Sequence, residues 1–571
     1  MSKHLTGIAA SPGIAIGNIL ILEEDLSYEK KNIKNVEIEK KRFHQALEVS
    51  KEQIMSLKNK IEEDMGKEQA DIFQAHIMIL EDPEFISKVE NKIERKKINV
   101  EVVLEQVIKN YSTKFSEMEN EYMQERATDV QDVGKRILKN LLGMNDSSLN
   151  ELNKNVILFA KNLTPSDTAQ IDKSQLLGLV TQTGGKTSHV AIMARSLEVP
   201  AVVGVNQSID SIEPDSKIIV DGIKGSIIIN PNEKEIAEYE YKAKKYDQRR
   251  EKLSKLKDLP AKTRDDSRVE LAANIGTPKD VDSVLKNGAE SVGLYRTEFL
   301  YMDRSSLPTE EEQFKAYKKV AQKLEGSVKI RTLDIGGDKE LTYLDLPEEL
   351  NPFLGYRAIR ISLDKTSIFR TQLRAILRAS IYGEVKIMYP MISSVEQLTK
   401  ANEILEEEKI KLREEGIDFD EKIEVGIMVE VPSVAIIADI LAKETDFFSI
   451  GTNDLIQYTT ATDRMNKNIS HLYQPFHPAI LRLIKKIVDA AHKENIQVSM
   501  CGEMAGNKEL TPFLLGIGLD EFSMSPSSIL GVKETIRNLN LEQARNLAKK
   551  TMTITTAKKV KKFCKKTIET L

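Results

Sequence analysis

A chain of 571 residues is longer than one hydrophobic core usually serves, so about two to four domains are expected. With 30% charged and 40% hydrophobic residues and a net charge of -5, it reads as an ordinary folded chain, and nucleic acid is not an expected partner. The opening MSKHLTGIAASPGIAIG is too poor in apolar length for a secretory signal, and no later stretch suits membrane insertion. The two cysteines, Cys501 and Cys564, exclude a disulfide framework, so a cytoplasmic location is expected.

Residues 1–22 alternate small and branched apolar residues around Pro12, Gly13 and Gly17, which predicts short strands joined by a turn. From 23 to 145 the chain turns highly charged, with Phe43, Leu47, Ile54, Leu57 and Ile61 at helical spacing. Leu104, Ile108, Tyr111, Phe115, Met118 and Tyr122 repeat that spacing, so a helical bundle is predicted. Short apolar runs return over 146–230, as in Val156-Ile157-Leu158-Phe159 and Ile218-Ile219-Val220, and predict an α/β domain. The opening strands belong with it, which makes the bundle an insertion. Residues 231–260 are dominated by Lys, Glu, Arg and Asp up to Pro260 and predict a solvated linker helix, with a lever between moving parts as the alternative.

Over 261–571, eight apolar runs each lead through punctuation into a helical stretch. They begin at Glu270, Ser291, Val328, Val385, Gly426, Phe447, Val498 and Glu521, the count that a (β/α)8 TIM barrel needs. Asn274, Arg296, Arg331, Glu430, Asn453, Asp454 and Cys501 sit where those strands end, on what would be one face of the barrel.

Two groups of residues point to chemistry. Gly184-Gly185-Lys186-Thr187-Ser188-His189 follows a strand-like run and opens a helix, a setting in which backbone N–H groups suit a phosphate and a neutral imidazole is available as a nucleophile. Taken alone, the segment fits equally a helix capped by Thr187 or Ser188 with His189 exposed in the first turn. His4, His44, His471, His477 and His492 lack such a glycine cradle, and His76 lies on a helical apolar face. At the barrel mouth, Arg296, Arg331, Arg357 and Arg464 would grip phosphate and carboxylate, and Glu430 with Asp454 could share a hard divalent cation. Asn453 could orient a phosphate, and Cys501 could move a proton. Each alone also fits a surface ion pair or core filler; together, at one end of one barrel, they favour a site.

With these segments in hand, the chain resembles the enzyme I family of the bacterial sugar phosphotransferase system. The likeness rests on Gly-Gly-Lys-Thr-Ser-His at 184–189, Gly-Leu-Tyr-Arg-Thr-Glu-Phe at 293–299 and Thr-Leu-Asp-Ile-Gly-Gly-Asp-Lys at 332–339. Asn-Pro-Phe-Leu-Gly-Tyr-Arg at 351–357, Ser-Ile-Gly-Thr-Asn-Asp-Leu at 449–455 and Cys-Gly-Glu-Met-Ala-Gly at 501–506 extend it. The resemblance implies that 1–22 with 146–230 is the phosphohistidine domain and that 261–571 binds phosphoenolpyruvate and forms a homodimer. It implies phosphorylation of His189 at Nε2, with Cys501 protonating the enolate of pyruvate. Arg296, Arg331, Asn453 and Arg464 match positions that hold phosphoenolpyruvate, and Glu430 and Asp454 match ligands of Mg²⁺. The implied acceptor is the carrier protein HPr, docking on the bundle near Ile77, Met78 and Leu80, flanked by Glu68, Asp71, Glu81, Asp82 and Glu84, with Arg126 in the matching helix.

Pyruvate phosphate dikinase and phosphoenolpyruvate synthase are the rival readings, but no glycine-rich nucleotide loop is evident, which favours a protein acceptor over ATP. A catalytically silent regulator is the rival from another class. The segment Thr263-Arg264-Asp265-Asp266-Ser267 departs from the resemblance, since relatives carry a glycine turn after the Asp. His189 would have to visit both the barrel mouth and the carrier, so reorientation about the linker is expected.

Overall fold

Apolar residues at three- and four-residue spacing from Phe43 onward do form helices: Val36–Met65, Lys67–Leu80, Pro83–Lys96, Val100–Ser116 and Glu121–Leu142. The computed structural model describes residues 2–22, 26–65, 67–116, 121–144, 155–164, 166–167, 175–185, 188–205, 212–213, 216–302, 304, 306–337, 339, 341, 343–466 and 468–569. The side chains of 63–71, 116–126, 189, 192 and 196 fall outside that description. Two units emerge, Met1–Arg249 and Arg250–Leu571.

In the first unit the bundle core collects Phe43, Ile54, Phe73, Phe85, Val89, Ile93, Val103 and Ile137. Pro83 starts a helix, because Asp82 caps it by accepting the Glu84 N–H at 2.8 Å. An eight-stranded sheet takes strands from both sides of this bundle. Ile14–Leu22 pairs in parallel with Val156–Ala160, and Ile19 faces Ile157 across more than a hundred intervening residues. On its other edge Ile14–Leu22 pairs antiparallel with Lys217–Asp221. The charged run after Asn232 forms the helix Glu233–Ser254, in which Tyr239 alone is buried, as suits a solvated helix.

In the second unit eight parallel strands close into a barrel: Glu270–Ile275, Ser291–Arg296, Val328–Arg331, Val385–Tyr389, Val425–Val429, Phe447–Ile450, Gln497–Met500 and Glu521–Met524. Closure comes from the last strand pairing with the first, Phe522 against Leu271. Strands covered on both faces need near-continuous apolar runs, which is why they were so compact in the chain. Inside the barrel Lys329 donates to Glu521, with the two side chains 1% and 0% exposed. The irregular Thr263–Ser267 segment makes its turn without glycine: Asp266 takes φ 61° and its carboxylate meets Lys262 at 2.6 Å. Asp, which can hydrogen-bond locally, tolerates that left-handed conformation better than most residues.

Candidate active site

A cavity of about 550 Å³ opens at the carboxyl ends of the barrel strands. It brings together Asn274, Arg296, Arg331, Arg357, Glu430, Asn453, Asp454, Arg464 and Cys501. The placements follow from chain geometry. Arg296 and Arg331 are the last residues of their strands, Glu430 and Cys501 immediately follow theirs, and Asn453 and Asp454 lie in the first turn of the helix Thr452–Thr460.

The cavity also holds three charged residues that reading the chain did not single out, Glu298, Asp334 and Lys339. Arg331 donates to Glu298 at 2.7 Å and lies 2.8 Å from Asp334. Lys339 donates to Glu298 at 2.9 Å, and Arg357 to Asp334 at 3.0 Å and Asp454 at 3.4 Å. Burial works against the Asp334 carboxylate, but Arg331, Lys339 and Arg357 outweigh it and hold its pKa well below the usual carboxylate range. Both carboxylates do stand inside motifs, Glu298 two residues after Arg296 and Asp334 three after Arg331. The i+3 spacing of Asp334 from Arg331 was the available signal, whereas Glu298 pairs with Arg331 across 33 positions.

Arg296 and Arg464 differ. Among the described residues neither has a carboxylate partner. Arg296 packs its guanidinium 5.0 Å from the Phe299 ring centre, its Nε has no acceptor, and burial lowers its pKa. Glu298 and Asp280 offset only part of that burial, and a guanidinium withdrawn from water without an ion pair is costly unless an anion arrives.

Glu430 is buried and its Oε1 accepts the Met391 N–H at 2.7 Å. Burial, then the Asp454 and Asp334 carboxylates, push its pKa up to about 8. No cluster of three metal-ligating side chains occurs among the described residues. Two mutually repelling carboxylates completed by substrate oxygens and water suit a hard divalent cation, which commonly takes only one or two carboxylates from protein, so the donor set fits such an ion. Cys501 has its thiol against the Ile450 carbonyl at 3.7 Å, and burial pushes it up to about 11, so it carries its proton at neutral pH. Asn453 turns its Oδ1 toward the Tyr473 hydroxyl and the Glu503 N–H, each at 3.4 Å, which aims its amino group elsewhere.

In the first unit His189 opens the helix His189–Ser196. Ser188 is the cap: its hydroxyl accepts the Ala191 N–H at 3.4 Å and donates to the Gly185 carbonyl at 2.8 Å. Gly184, at φ 105°, makes the turn that brings the chain there. Lys186, Thr187 and the His189 side chain lie outside the described residues. Other histidines make local contacts: His76 is buried against Asp129 at 3.3 Å, His4, His44 and His492 meet Glu235, Glu90 and Asp520, and His477 caps a helix by accepting the Ala479 N–H at 3.2 Å. On the bundle, Met78 is 65% exposed, but Ile77 and Leu80 turn into the helical core. The expected apolar patch therefore reduces to Met78, because a helix presents i and i+2 to different faces. Glu81 and Glu84 pair with Lys51 and Lys88. Glu68, Asp71 and Arg126 lie outside the described side chains.

A parallel barrel with a cationic, carboxylate-bearing mouth, joined to a histidine-headed helix on a separate α/β sheet, defines a phosphoenolpyruvate-utilising enzyme. Models of that class match by parts: the PEP-utilising enzyme PEP-binding domain over 250–541, the N-terminal domain over 6–126 and the mobile domain over 152–225. Among curated relatives, a Bacillus subtilis (strain 168) protein is 52% identical over 569 residues, covering 99% of this chain and 100% of the relative. One from Staphylococcus carnosus (strain TM300) is 50% identical over 562 residues, 98% of each chain, and one from Listeria monocytogenes serovar 1/2a is 51% identical over 568, 99% of each. All three are named phosphoenolpyruvate-protein phosphotransferase, and this chain belongs to that family of enzymes. Membership makes it a metal-dependent transferase.

Proposed function

We propose that the enzyme takes the phosphoryl group of phosphoenolpyruvate onto His189 Nε2 and hands it to a histidine of HPr, releasing pyruvate, as the first general component of the sugar phosphotransferase system. The single observation that carries the barrel's part is the contrast among its arginines. Arg331 and Arg357 are locked to Glu298, Asp334 and Asp454, while Arg296 and Arg464 reach the same cavity without carboxylates. A substrate carrying both phosphate and carboxylate supplies the anions those two lack.

In this reading Arg296, Arg331 and Arg464 hold the substrate, Arg357 braces Asp334 and Asp454, and Asn453 donates to the phosphate. Glu430 and Asp454 would hold Mg²⁺, whose charge would neutralise that developing on the transferring group. Carboxylate and water ligands suit Mg²⁺ and Mn²⁺ alike, and Mg²⁺ is proposed for its availability. As the phosphorus–oxygen bond breaks toward His189, its electron pair stays on the enolate. The Cys501 S–H bond then gives its proton to the terminal carbon and pyruvate forms; a thiol protonated at neutral pH serves that step. Ketonisation draws the transfer forward.

The proposed boundaries are 1–22 with 146–230 for the phosphohistidine domain, 23–145 for the carrier-docking bundle, 231–260 for the linker helix and 261–571 for the barrel. The proposal further includes a homodimer through the barrel and residence in the cytoplasm. No described helix is long and apolar enough to cross a membrane. Incubation with radiolabelled phosphoenolpyruvate and Mg²⁺ tests the function: an acid-labile label that disappears in His189→Ala is expected, and one that survives the substitution refutes it.

A further inference from the structure

The seventh barrel strand ends at Met500, so the Cys501 carbonyl is the first beyond that strand. Its neighbours are specific. The Cys501 N–H continues the sheet pattern by donating to the Ile450 carbonyl at 3.1 Å. The Cys501 carbonyl instead accepts from Asn274 Nδ2, on the first strand, at 2.9 Å. Asn274 Oδ1 in turn accepts from the hydroxyl of Ser523, on the eighth strand, at 2.6 Å. Hydrogen-bonding chemistry leaves one orientation for this amide: a carbonyl only accepts, so the NH₂ must face Cys501 and the oxygen must face Ser523. Ser523 is fully buried, which fixes the far end of the arm. Gly293 leaves room for it, because a Cβ there would sit 2.5 Å from the Ser523 hydroxyl.

We propose that Asn274 and Ser523 are positioning residues for proton transfer, a two-link arm that fixes the Cys501 peptide and thereby aims the thiol into the cavity. The inference rests on the reading of Cys501 as the proton donor. Both peptide groups of Cys501 are tied, one by the sheet and one by this arm, so its Cα–Cβ direction is set by two strands instead of one. Losing the arm frees the carbonyl side of the residue. Misplacing a reacting group by about 1 Å can cost on the order of 100-fold.

The test isolates the proton from the phosphoryl group. Unphosphorylated enzyme with Mg²⁺ and pyruvate in D₂O should exchange the pyruvate methyl protons, a reaction followed by NMR. The Cys501 thiolate removes a proton from carbon, leaving the enolate; the new S–H exchanges with solvent and returns deuterium, so no net redox or phosphoryl change occurs. Asn274→Ala and Ser523→Ala should each slow exchange about 10- to 100-fold. The KM for phosphoenolpyruvate should move less than about threefold, since the arm holds no substrate charge. Exchange at the native rate in both variants overturns the proposal, and so does a parallel loss of exchange and substrate affinity, which would mean general collapse of the site. Cys501→Ala reports on the underlying reading independently: if it still exchanges, Cys501 is not the proton donor.

Discussion

Cys501 offers a quantitative test of what burial does at this site. Its thiol is pushed up to about 11, chiefly by burial. A free thiol titrates near ~8.5, so at pH 8 about 24% of it is thiolate against about 0.1% for Cys501, a ratio of about 240. The more basic thiolate is also the better nucleophile. With a Brønsted slope of ~0.4–0.5 that recovers about 10- to 18-fold, leaving Cys501 about 13- to 24-fold slower than a free thiol toward a small neutral disulfide. Because Cys564 is also buried and likewise pushed up to about 11, the measurement belongs in a Cys564→Ser background. Mixed-disulfide formation followed by mass spectrometry should rise nearly tenfold per pH unit from 7 to 10. A plateau centred below pH 9 would refute the claim that burial keeps this thiol protonated.

Other outcomes follow from named contacts. Arg296→Met should raise the KM for phosphoenolpyruvate about 30- to 1,000-fold, the loss of about 2–4 kcal/mol of charge-assisted binding, with stability preserved because Arg296 has no protein carboxylate to strand; steady-state kinetics and thermal melting report both. Lys329→Met should cost about 3–5 kcal/mol in denaturant unfolding by stranding Glu521, and adding Glu521→Leu should recover most of it; equal losses in the single and double variants would mean the pair is not the issue. Gly502→Ala would place a Cβ 1.8 Å from the Thr452 hydroxyl, so the backbone after Cys501 must shift and turnover should fall about 100-fold or more with His189 still present. Met78→Asp, altering an exposed apolar residue of the bundle, should weaken phosphoryl delivery to HPr while self-phosphorylation proceeds at the native rate.

The barrel was legible in the chain because its strands are short, apolar-rich runs recurring between turn residues, even where a buried charge interrupts them. Val385-Lys386-Ile387-Met388 is four of the five residues of its strand, and Glu521-Phe522-Ser523-Met524 is the whole of its own. The helical bundle was legible for the complementary reason, a 3.6-residue period kept through Phe43, Leu47, Ile54 and Ile61. Side-chain facing was less legible. The resemblance implied a docking patch at Ile77, Met78 and Leu80, and packing against other helices of the bundle turns Ile77 and Leu80 inward. Glu298, Asp334 and Lys339 were overlooked because their function is to neutralise other residues. Charge compensation is a property of three-dimensional neighbours: Arg357 meets Asp334 across 23 positions and Asp454 across 97.

That compensation explains how a mouth with five cations can be stable before any substrate arrives. Buried guanidiniums at Arg331 and Arg357 would be prohibitive alone, and Glu298, Asp334 and Asp454 offset them with ion pairs of 2.7–3.4 Å. Such pairs also fix the arginine forks in place, so those residues need little reorganisation when charge shifts on a bound phosphate. Full compensation would leave nothing to attract an anion. Arg296 and Arg464 are the remainder without an ion pair, and Arg296 lies largely withdrawn from water, where desolvation strengthens its pull. The site therefore divides its work: paired Arg331 and Arg357 hold a fixed geometry, and unpaired Arg296 and Arg464 add the attraction.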